Sequence, residues 1–263
     1  MGDRGERGVA EEAQGALIVR LDGFGIKEPV QIRKSDGGYL YATTDMAAIR
    51  RRVRELGADK VVYAVDARQS LHFKQVFAAC RKAEYTAKRG AGGGEAELFH
   101  AAFGTVLGED NKPLKTRSGE NIKLTDLLDE AVQRAGVTVA EKNPDLGAKE
   151  RAKIAEAVGI TAIKYADLSG ERAKDYVFSF DRMLAFEGNT GPYLMYAYVR
   201  TQSVLRRADE EGIEIDADAR LSVREPQEKA LALTLLRYPG VVNAVGEHLE
   251  PHRLCAYLYD LAT

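Results

Sequence analysis

The chain has 263 residues, 45% of them hydrophobic, and carries 38 Lys and Arg against 40 Asp and Glu. That length suits two domains with apolar cores, and the near-neutral charge argues against a wholly basic nucleic-acid coat. Cys80 and Cys255 lack metal-ligand spacing, so we expect two reduced core thiols. The sequence shows no signal-peptide core and no apolar run of the roughly 20 residues that a membrane span needs, which predicts a soluble, cytoplasmic protein.

The first half of the chain alternates patterns typical of strands and helices. Residues 1–15 are polar and are predicted to form a disordered leader. A turn around residues 35–38 should join two strands, and Thr44 and Gly57 are the predicted cap and stop of the first helix. The predicted strands cover residues 16–19, 30–33, 38–41, 60–65 and 97–106, and the predicted helices cover 45–56 and 71–83. Such alternation indicates half of a doubly wound α/β sheet.

The second half of the chain is predicted to be helical. A tyrosine-rich helix over residues 192–207 begins after Asn189-Thr190 and has proline in its first turn. The acidic, non-periodic residues 209–221 are predicted to form a linker, and helices resume near residue 225. The predicted organisation is a leader at 1–15, an α/β domain at 16–148, connecting helices at 149–188 and a helical domain at 189–263.

Asp45 is the first candidate for a binding role. A carboxylate near a strand end and a helix start can receive a guanidinium through two parallel hydrogen bonds. Tyr41, four positions earlier, can add a phenolic oxygen and a flat wall to the same pocket. The alternative is that Asp45 only helps Thr44 to cap the helix.

Gln69 and His72 lie in the segment DARQSLH, directly after the apolar segment KVVYAV. Polar groups at the ends of consecutive parallel strands converge on the crevice where open α/β sheets bind ligands. The amide of Gln69 could hold the amino and carboxylate ends of a small zwitterion. The alternative is a loop, bounded by Asp66, that caps the next helix.

The loop from Gly108 to Asn121 is the second candidate. It carries Lys112, Lys115 and Arg117 between flanking glycines, and cations on a mobile loop suit a reaction in which negative charge builds on phosphates. An ordinary solvated loop is the alternative. Neither a Walker motif nor a GxGxxG fingerprint occurs in the sequence.

The helix that contains Tyr193, Tyr196 and Arg200 combines aromatic and basic side chains. Such a combination can stack on and neutralise RNA. Tyrosines at helical spacing are also typical of core packing, which is the alternative here.

Several sequence segments, in a fixed order, resemble those of a known family. YATTDMA is followed by VDARQSLHFKQ, by HAAFGTVLGEDNKPLKTRSGENIKLTDLLDEA, by FEGNTGPYLMYAY and finally by CAYLYDLA. That order is similar to the carboxy-terminal half of an arginyl-tRNA synthetase, a class I enzyme, from about residue 14 onward. The resemblance implies the second half of a class I Rossmann-like parallel-sheet catalytic domain, followed by a partial helical anticodon-binding bundle.

The resemblance also implies roles for individual residues. The family's YxxxD motif, here Tyr41 and Asp45, would hold the guanidinium of L-arginine, and Gln69 would help to hold the other end of the amino acid. Adenine would be bound mainly by backbone groups. The ATP-binding positions that the resemblance implies are His72, His100, Phe103, Gly104, Thr105 and Val106.

The loop segment LKTRS, residues 114–118, resembles a degenerate KMSKS motif of class I synthetases. Threonine and arginine stand where the standard word has methionine and lysine. Lys115 and Arg117 are therefore the implied charge carriers, with Lys112 beside them.

The implied reaction is the ligation of L-arginine to tRNA(Arg). Arginine would first be activated by ATP to arginyl-adenylate, and the terminal adenosine hydroxyl of the tRNA would then take the arginyl group. ATP would enter with Mg²⁺ as a substrate, and no bound prosthetic group is implied. The helix with Tyr193, Tyr196 and Arg200 would contact the tRNA.

The family's other signature, a HIGH-type word, does not occur in these 263 residues. We therefore expect a fragment or one piece of a split enzyme, a poor catalyst unless joined by an amino-terminal half. The alternative function is a non-catalytic tRNA- or arginine-binding module derived from the synthetase. A nucleotide-binding oxidoreductase is disfavoured because no glycine fingerprint supports it.

Overall fold

A computed structural model describes residues 8–88, 93–114, 122–214 and 222–263, together with the single residues 216, 218 and 220. The chain divides into two units, Met1–Phe103 and Gly104–Thr263. Among the residues that the structure describes, none of the helices combines the length and apolar character needed to cross a membrane.

The first unit contains two small sheets and two helices in its described part. An antiparallel sheet has the order β1-β2-β3, and β4 pairs in parallel with β5, with Lys60 opposite Glu97 and Asp66 opposite Phe103. The elements are β1 Glu11–Ala13, β2 Ala16–Val19, β3 Val30–Arg33, α1 Tyr41–Arg54, β4 Lys60–Asp66, α2 Ser70–Lys82 and β5 Glu97–Phe103.

The core of this unit lies between the two helices and the strands. Met46, Ile49 and Val53 repeat at helical spacing along the buried face of α1, and Val76 and Cys80 do the same along α2. This burial fixes which faces of α1 and α2 remain available for a site.

The prediction of a disordered leader is wrong for residues 11–13. Glu11–Ala13 form β1, which pairs with β2 through a two-residue turn. Both turn residues, Gln14 at φ 51° and Gly15 at φ 78°, adopt the left-handed conformation that such hairpins require. Glutamine is uncommon at positive φ, so this turn could not be predicted from the sequence. Residues 1–7 lie outside the described residues.

The strand predicted at residues 38–41 is also wrong, because a single bridge joins Arg33 to Tyr39 and α1 begins at Tyr41. The helix therefore starts four residues before the predicted start, with Leu40 rather than Thr44 as its N-cap. The buried Thr43 hydroxyl donates to the Ile32 carbonyl and ties the first turn of α1 to β3. Tyrosine and threonine favour strands, and this tertiary bond overrides that preference.

The second unit is mostly helical in its described part. Helix α3 packs along α4, and α4 also contacts α6 and α9. The elements are β6 Val106–Leu107, α3 Leu124–Lys142, α4 Ala148–Ser169, β7 Tyr176–Val177, α5 Phe180–Met183, α6 Gly191–Glu210, α7 Pro226–Leu236, α8 Tyr238–His248 and α9 His252–Ala262. The short strands β6 and β7 form a parallel pair.

The division between the units falls after Phe103, whereas the sequence places a domain boundary after residue 148. The packing of α3 on α4 explains the difference, because it joins residues 124–142 to the helices that follow. The predicted glycine loop falls partly on residues 89–92, which lie outside the described residues.

Candidate functional site

The carboxyl ends of the parallel strands form one edge of the first unit. Asp66 ends β4 opposite Phe103 at the end of β5, and a single 3₁₀ turn, Ala67–Gln69, leads directly into α2. Gln69 and His72 are thereby placed at the strand ends. This is the position where open parallel sheets bind ligands.

Asp45 and His72 meet at this edge, although 27 residues separate them in the chain. His72 Nε2 lies 2.8 Å from Asp45 Oδ2, and both side chains keep slightly more than a quarter of their surface exposed. Because a carboxylate can only accept, the imidazole donates here through Nε2–H. Asp45 is therefore not a capping residue; it is a half-buried acceptor that one imidazole already orients.

A cluster of rings supports the pair from below. The buried Phe73 ring lies 5.1 Å edge-on from His72, 4.7 Å from His100 and 4.8 Å from Tyr63. His100 in turn donates from Nε2 to the Val65 carbonyl at 3.0 Å. His100 is thus held by the strand backbone. The contact between Asp45 and His72 could not be predicted from the sequence, since it depends on how α1 packs against α2.

Tyr63 links the site to the arginines of α1. Arg52 Nη1 donates to the Tyr63 hydroxyl at 2.7 Å. Burial raises the pKa of Tyr63, Arg52 opposes that rise, and the negative charge of Asp45 adds to it. The phenol therefore stays protonated, and its environment senses the Asp45 charge.

Asp66 and Arg68 form a clamp at the end of β4. Arg68 donates from Nε at 2.9 Å and from Nη2 at 2.7 Å to the two carboxylate oxygens, and its backbone amide donates at 2.8 Å. The Arg68 side chain, then its amide, hold the pKa of Asp66 at about 2. The clamp fixes the turn that carries Gln69 and His72.

We expect Arg68→Ala to return the pKa of Asp66 toward the ordinary value of about 3.9. Because the folded-state pKa is depressed, the stabilisation from this carboxylate is present above pH ~4 and is lost as pH falls toward 2. Carboxyl-carbon NMR titration of both proteins measures the two midpoints. A wild-type midpoint near 4, unchanged by the substitution, would show that the clamp does not form in solution.

Tyr41 and Gln69 are exposed at this edge. Tyr41 is 87% exposed and lies one helical turn before Asp45 on the same face of α1. Gln69 closes the 3₁₀ turn before α2. Their arginine-binding roles stay predictions.

The segment predicted to bind ATP has residues in both units, because the boundary falls between Phe103 and Gly104. His100 and Phe103 belong to β5. In the second unit, the Gly104 amide donates to the Arg172 carbonyl at 2.9 Å, and the Thr105 amide donates to Asp175 Oδ1 at 2.6 Å. Several backbone groups near Val106 are therefore already engaged in internal contacts.

Gly104 has a structural reason to be glycine. A Cβ at this position would lie 2.4 Å from the backbone carbonyl of Lys174, a distance that no side chain can accommodate. The residue thus packs the segment closely, whether or not adenine also approaches it.

The predicted cationic loop is only partly described. Lys112 is exposed, and its amide donates to Asp110 Oδ1 at 3.1 Å. Lys115 and Arg117 lie outside the described residues.

The tyrosines of α6 have two different environments. The Tyr193 hydroxyl donates to the Ala262 carbonyl at 3.1 Å, and its ring lies 5.7 Å from that of Tyr259, so it joins α6 to α9. Tyr196 is 51% exposed, with the Arg200 guanidinium 5.8 Å from its ring. Core packing accounts for Tyr193, while Tyr196 and Arg200 remain a surface pair.

Comparison with family models assigns both parts of the chain. Residues 2–180 match tRNA synthetases class I (R), catalytic domain. Residues 194–263 match the DALR anticodon binding domain.

Proteins similar to this chain include arginine–tRNA ligases and arginyl-tRNA synthetases. The arginine–tRNA ligases of Chromobacterium violaceum and Thermobifida fusca are each 50% identical over 98% of this chain, which covers 44% of each relative. The arginyl-tRNA synthetase structure from Plasmodium falciparum matches 98% of this chain at 29% identity with a TM-score of 0.80, and this chain covers 42% of it. The Thermus thermophilus structure matches 95% at 28% identity and a TM-score of 0.78, with 45% covered. The chain thus spans less than half the length of these relatives.

Proposed function

The chain belongs to the arginyl-tRNA synthetase family of class I synthetases, and we propose that its first unit carries the arginine-binding part of the active site. The observation that carries this proposal is the Asp45 carboxylate, held by His72 at the carboxyl edge of a parallel sheet. Membership of this family supports L-arginine, ATP and tRNA as the proposed ligands. The proposed function of the protein is arginine–tRNA ligation.

Asp45 is suited to a guanidinium. A carboxylate offers two oxygens with about four lone-pair sites, and His72 occupies one of them. A planar guanidinium can donate two parallel hydrogen bonds to the lone-pair sites that remain. This geometry matches a carboxylate better than that of a compact ammonium group. Tyr41 lies on the same face of α1 and can flank the guanidinium plane.

In the proposed reaction, a carboxylate oxygen of arginine attacks the α-phosphorus of ATP. The P–O bond to pyrophosphate breaks, and pyrophosphate leaves with its electron pair. A hydroxyl of the terminal tRNA adenosine then attacks the arginyl carbonyl carbon and releases AMP. Lys112, Lys115 and Arg117 would neutralise phosphate charge, and Gln69 would hold the amino acid while His100 and Phe103 contribute at the ATP side. Mg²⁺ would arrive with ATP.

The helical part would contact tRNA(Arg). Tyr196 and Arg200 form an exposed aromatic and cationic pair on α6, inside the segment that matches the anticodon-binding model. Exposed rings can stack on unpaired bases, and a guanidinium beside them can meet phosphate. Tyr193 is assigned to packing instead.

Two measurements test the proposal. Isothermal titration of the purified chain with L-arginine, L-lysine and L-citrulline should give binding of L-arginine and much weaker binding of the other two, because citrulline keeps the shape but loses the charge. Arginylation of tRNA(Arg) with ATP and Mg²⁺ should be weak for the chain alone and should rise when the amino-terminal half of the Chromobacterium violaceum relative is added. Equal binding of citrulline and arginine would contradict the proposed role of Asp45.

A further inference from the structure

We infer that His72 is a positioning residue for guanidinium recognition, one that orients the Asp45 carboxylate rather than serving ATP. The inference rests on the proposed arginine site and concerns how that site discriminates. It starts from a single contact, Nε2–H of His72 to Oδ2 of Asp45 at 2.8 Å.

An aspartate on a half-exposed helix face is otherwise free to rotate its carboxylate plane. A bidentate fork demands a fixed plane, because both N–H groups must point at both oxygens at once. If the carboxylate becomes ordered only when the ligand binds, the entropy that it loses reduces the affinity. The imidazole removes part of that cost in advance, since it fixes Oδ2 from α2 while Asp45 is carried by α1.

The imidazole is itself held by rigid elements. Its ring packs edge-on against Phe73, which is 4% exposed. Phe73 is flanked by His100, and His100 donates to the Val65 carbonyl in the strand. This chain of contacts runs from the β4 backbone to the carboxylate, so the position of Oδ2 is set by the sheet.

His72 leaves the recognition chemistry intact. An imidazole that donates from Nε2 uses one lone-pair site of the Asp45 carboxylate. Oδ1 and the second lone pair of Oδ2 can still accept the two donors of a guanidinium.

Selectivity follows from this geometry. Arginine needs the oriented plane, whereas the ammonium of lysine is a point charge that a rotating carboxylate satisfies nearly as well. Loss of the His72 donor should therefore weaken arginine more than lysine. A residue with a merely structural role would weaken both alike or neither.

The test compares His72→Ala with His72→Gln, whose Nε2 amide can reach the carboxylate as the imidazole does. Titrations with L-arginine, L-lysine and ATP, together with thermal melting, are run on both variants, on Asp45→Asn and on the matched control His248→Ala, a half-exposed histidine of the other unit. We expect His72→Ala to raise the Kd for L-arginine by about 10- to 100-fold, to lower the arginine-to-lysine ratio and to leave ATP unaffected. His72→Gln should recover most of the ratio, and the control should match wild type.

Three results would overturn the inference. Unchanged arginine affinity and an unchanged ratio in a folded His72→Ala protein, with Asp45→Asn defective, would remove His72 from recognition while leaving the arginine site standing. Weakened ATP binding with normal arginine binding would assign His72 to the nucleotide. No arginine binding by wild type would reject the proposed function, and the inference with it.

Discussion

Asp45→Asn should weaken L-arginine binding by about a hundredfold while the first unit keeps its fold. Removing one charged partner from a hydrogen-bonded ion pair costs roughly 2–5 kcal/mol, and about 2.7 kcal/mol is a hundredfold change in Kd. The asparagine would also turn an NH₂ group toward the guanidinium, which has donors only. Its carbonyl can still accept from His72 Nε2, so the contact between α1 and α2 survives. Isothermal titration with L-arginine measures the loss.

Two further variants make this result specific. Asp45→Glu keeps the charge but moves the carboxylate outward by one methylene, so its affinity should fall between those of wild type and Asp45→Asn. Asp126→Asn changes an exposed carboxylate at the start of α3 in the other unit and should bind as wild type does. If Asp45→Asn binds L-arginine normally, the guanidinium is held elsewhere and the proposed site is wrong.

The parts of the first unit that the sequence predicted well are those that local patterns determine. The apolar run 60–65 forms β4, and the helical repeat after it forms α2. Gly57, the predicted stop of the first helix, follows the end of α1 at Arg54 and has a φ of 70°. The errors lie where tertiary contacts decide. The start of α1 depends on the bond from Thr43 to Ile32, and β1 depends on glutamine in a left-handed turn.

The sequence singled out Asp45 and His72 as candidate site residues but did not predict that they contact each other. The sequence argument put Asp45, Gln69 and His72 near strand ends, whereas the structure carries Asp45 inside α1, in contact with His72 of α2. The sequence argument could not assign a partner to Asp45, because the contact joins residues 27 positions apart and depends on the packing of two helices. Backbone engagement near Gly104 was equally invisible, since it involves residues 70 positions further along.

Helix packing in the second unit gives the largest expected effect on stability, at Gly159 in α4. A Cβ at this position would lie 2.7 Å from the Val132 backbone and 2.8 Å from the Ala131 carbonyl carbon. Backbone atoms cannot move away by a rotamer change as a side chain can, so α3 and α4 must separate or shift. The cost of such overpacking, about 1–3 kcal/mol or more, is reduced by the roughly 1 kcal/mol that alanine gains over glycine in a helix. Because the atoms that the Cβ would meet are backbone, the upper end of that range applies, and Gly159→Ala should destabilise the protein by about 2 kcal/mol.

The same helix pair supplies its own control. Gly136 on α3 faces Ala155 on α4, and an added Cβ there would meet the Ala155 Cβ at 3.6 Å, an ordinary contact. Gly136→Ala should therefore gain helix propensity without a clash and raise the thermal midpoint slightly. Gly159→Ala should lower the midpoint by about 4–8 °C, given the scaling for a unit of this size. Equal shifts of the thermal midpoint in both variants would mean that helix propensity alone governs these positions. The backbones of α3 and α4 would then lie further apart than the distance between Gly159 and Val132 indicates.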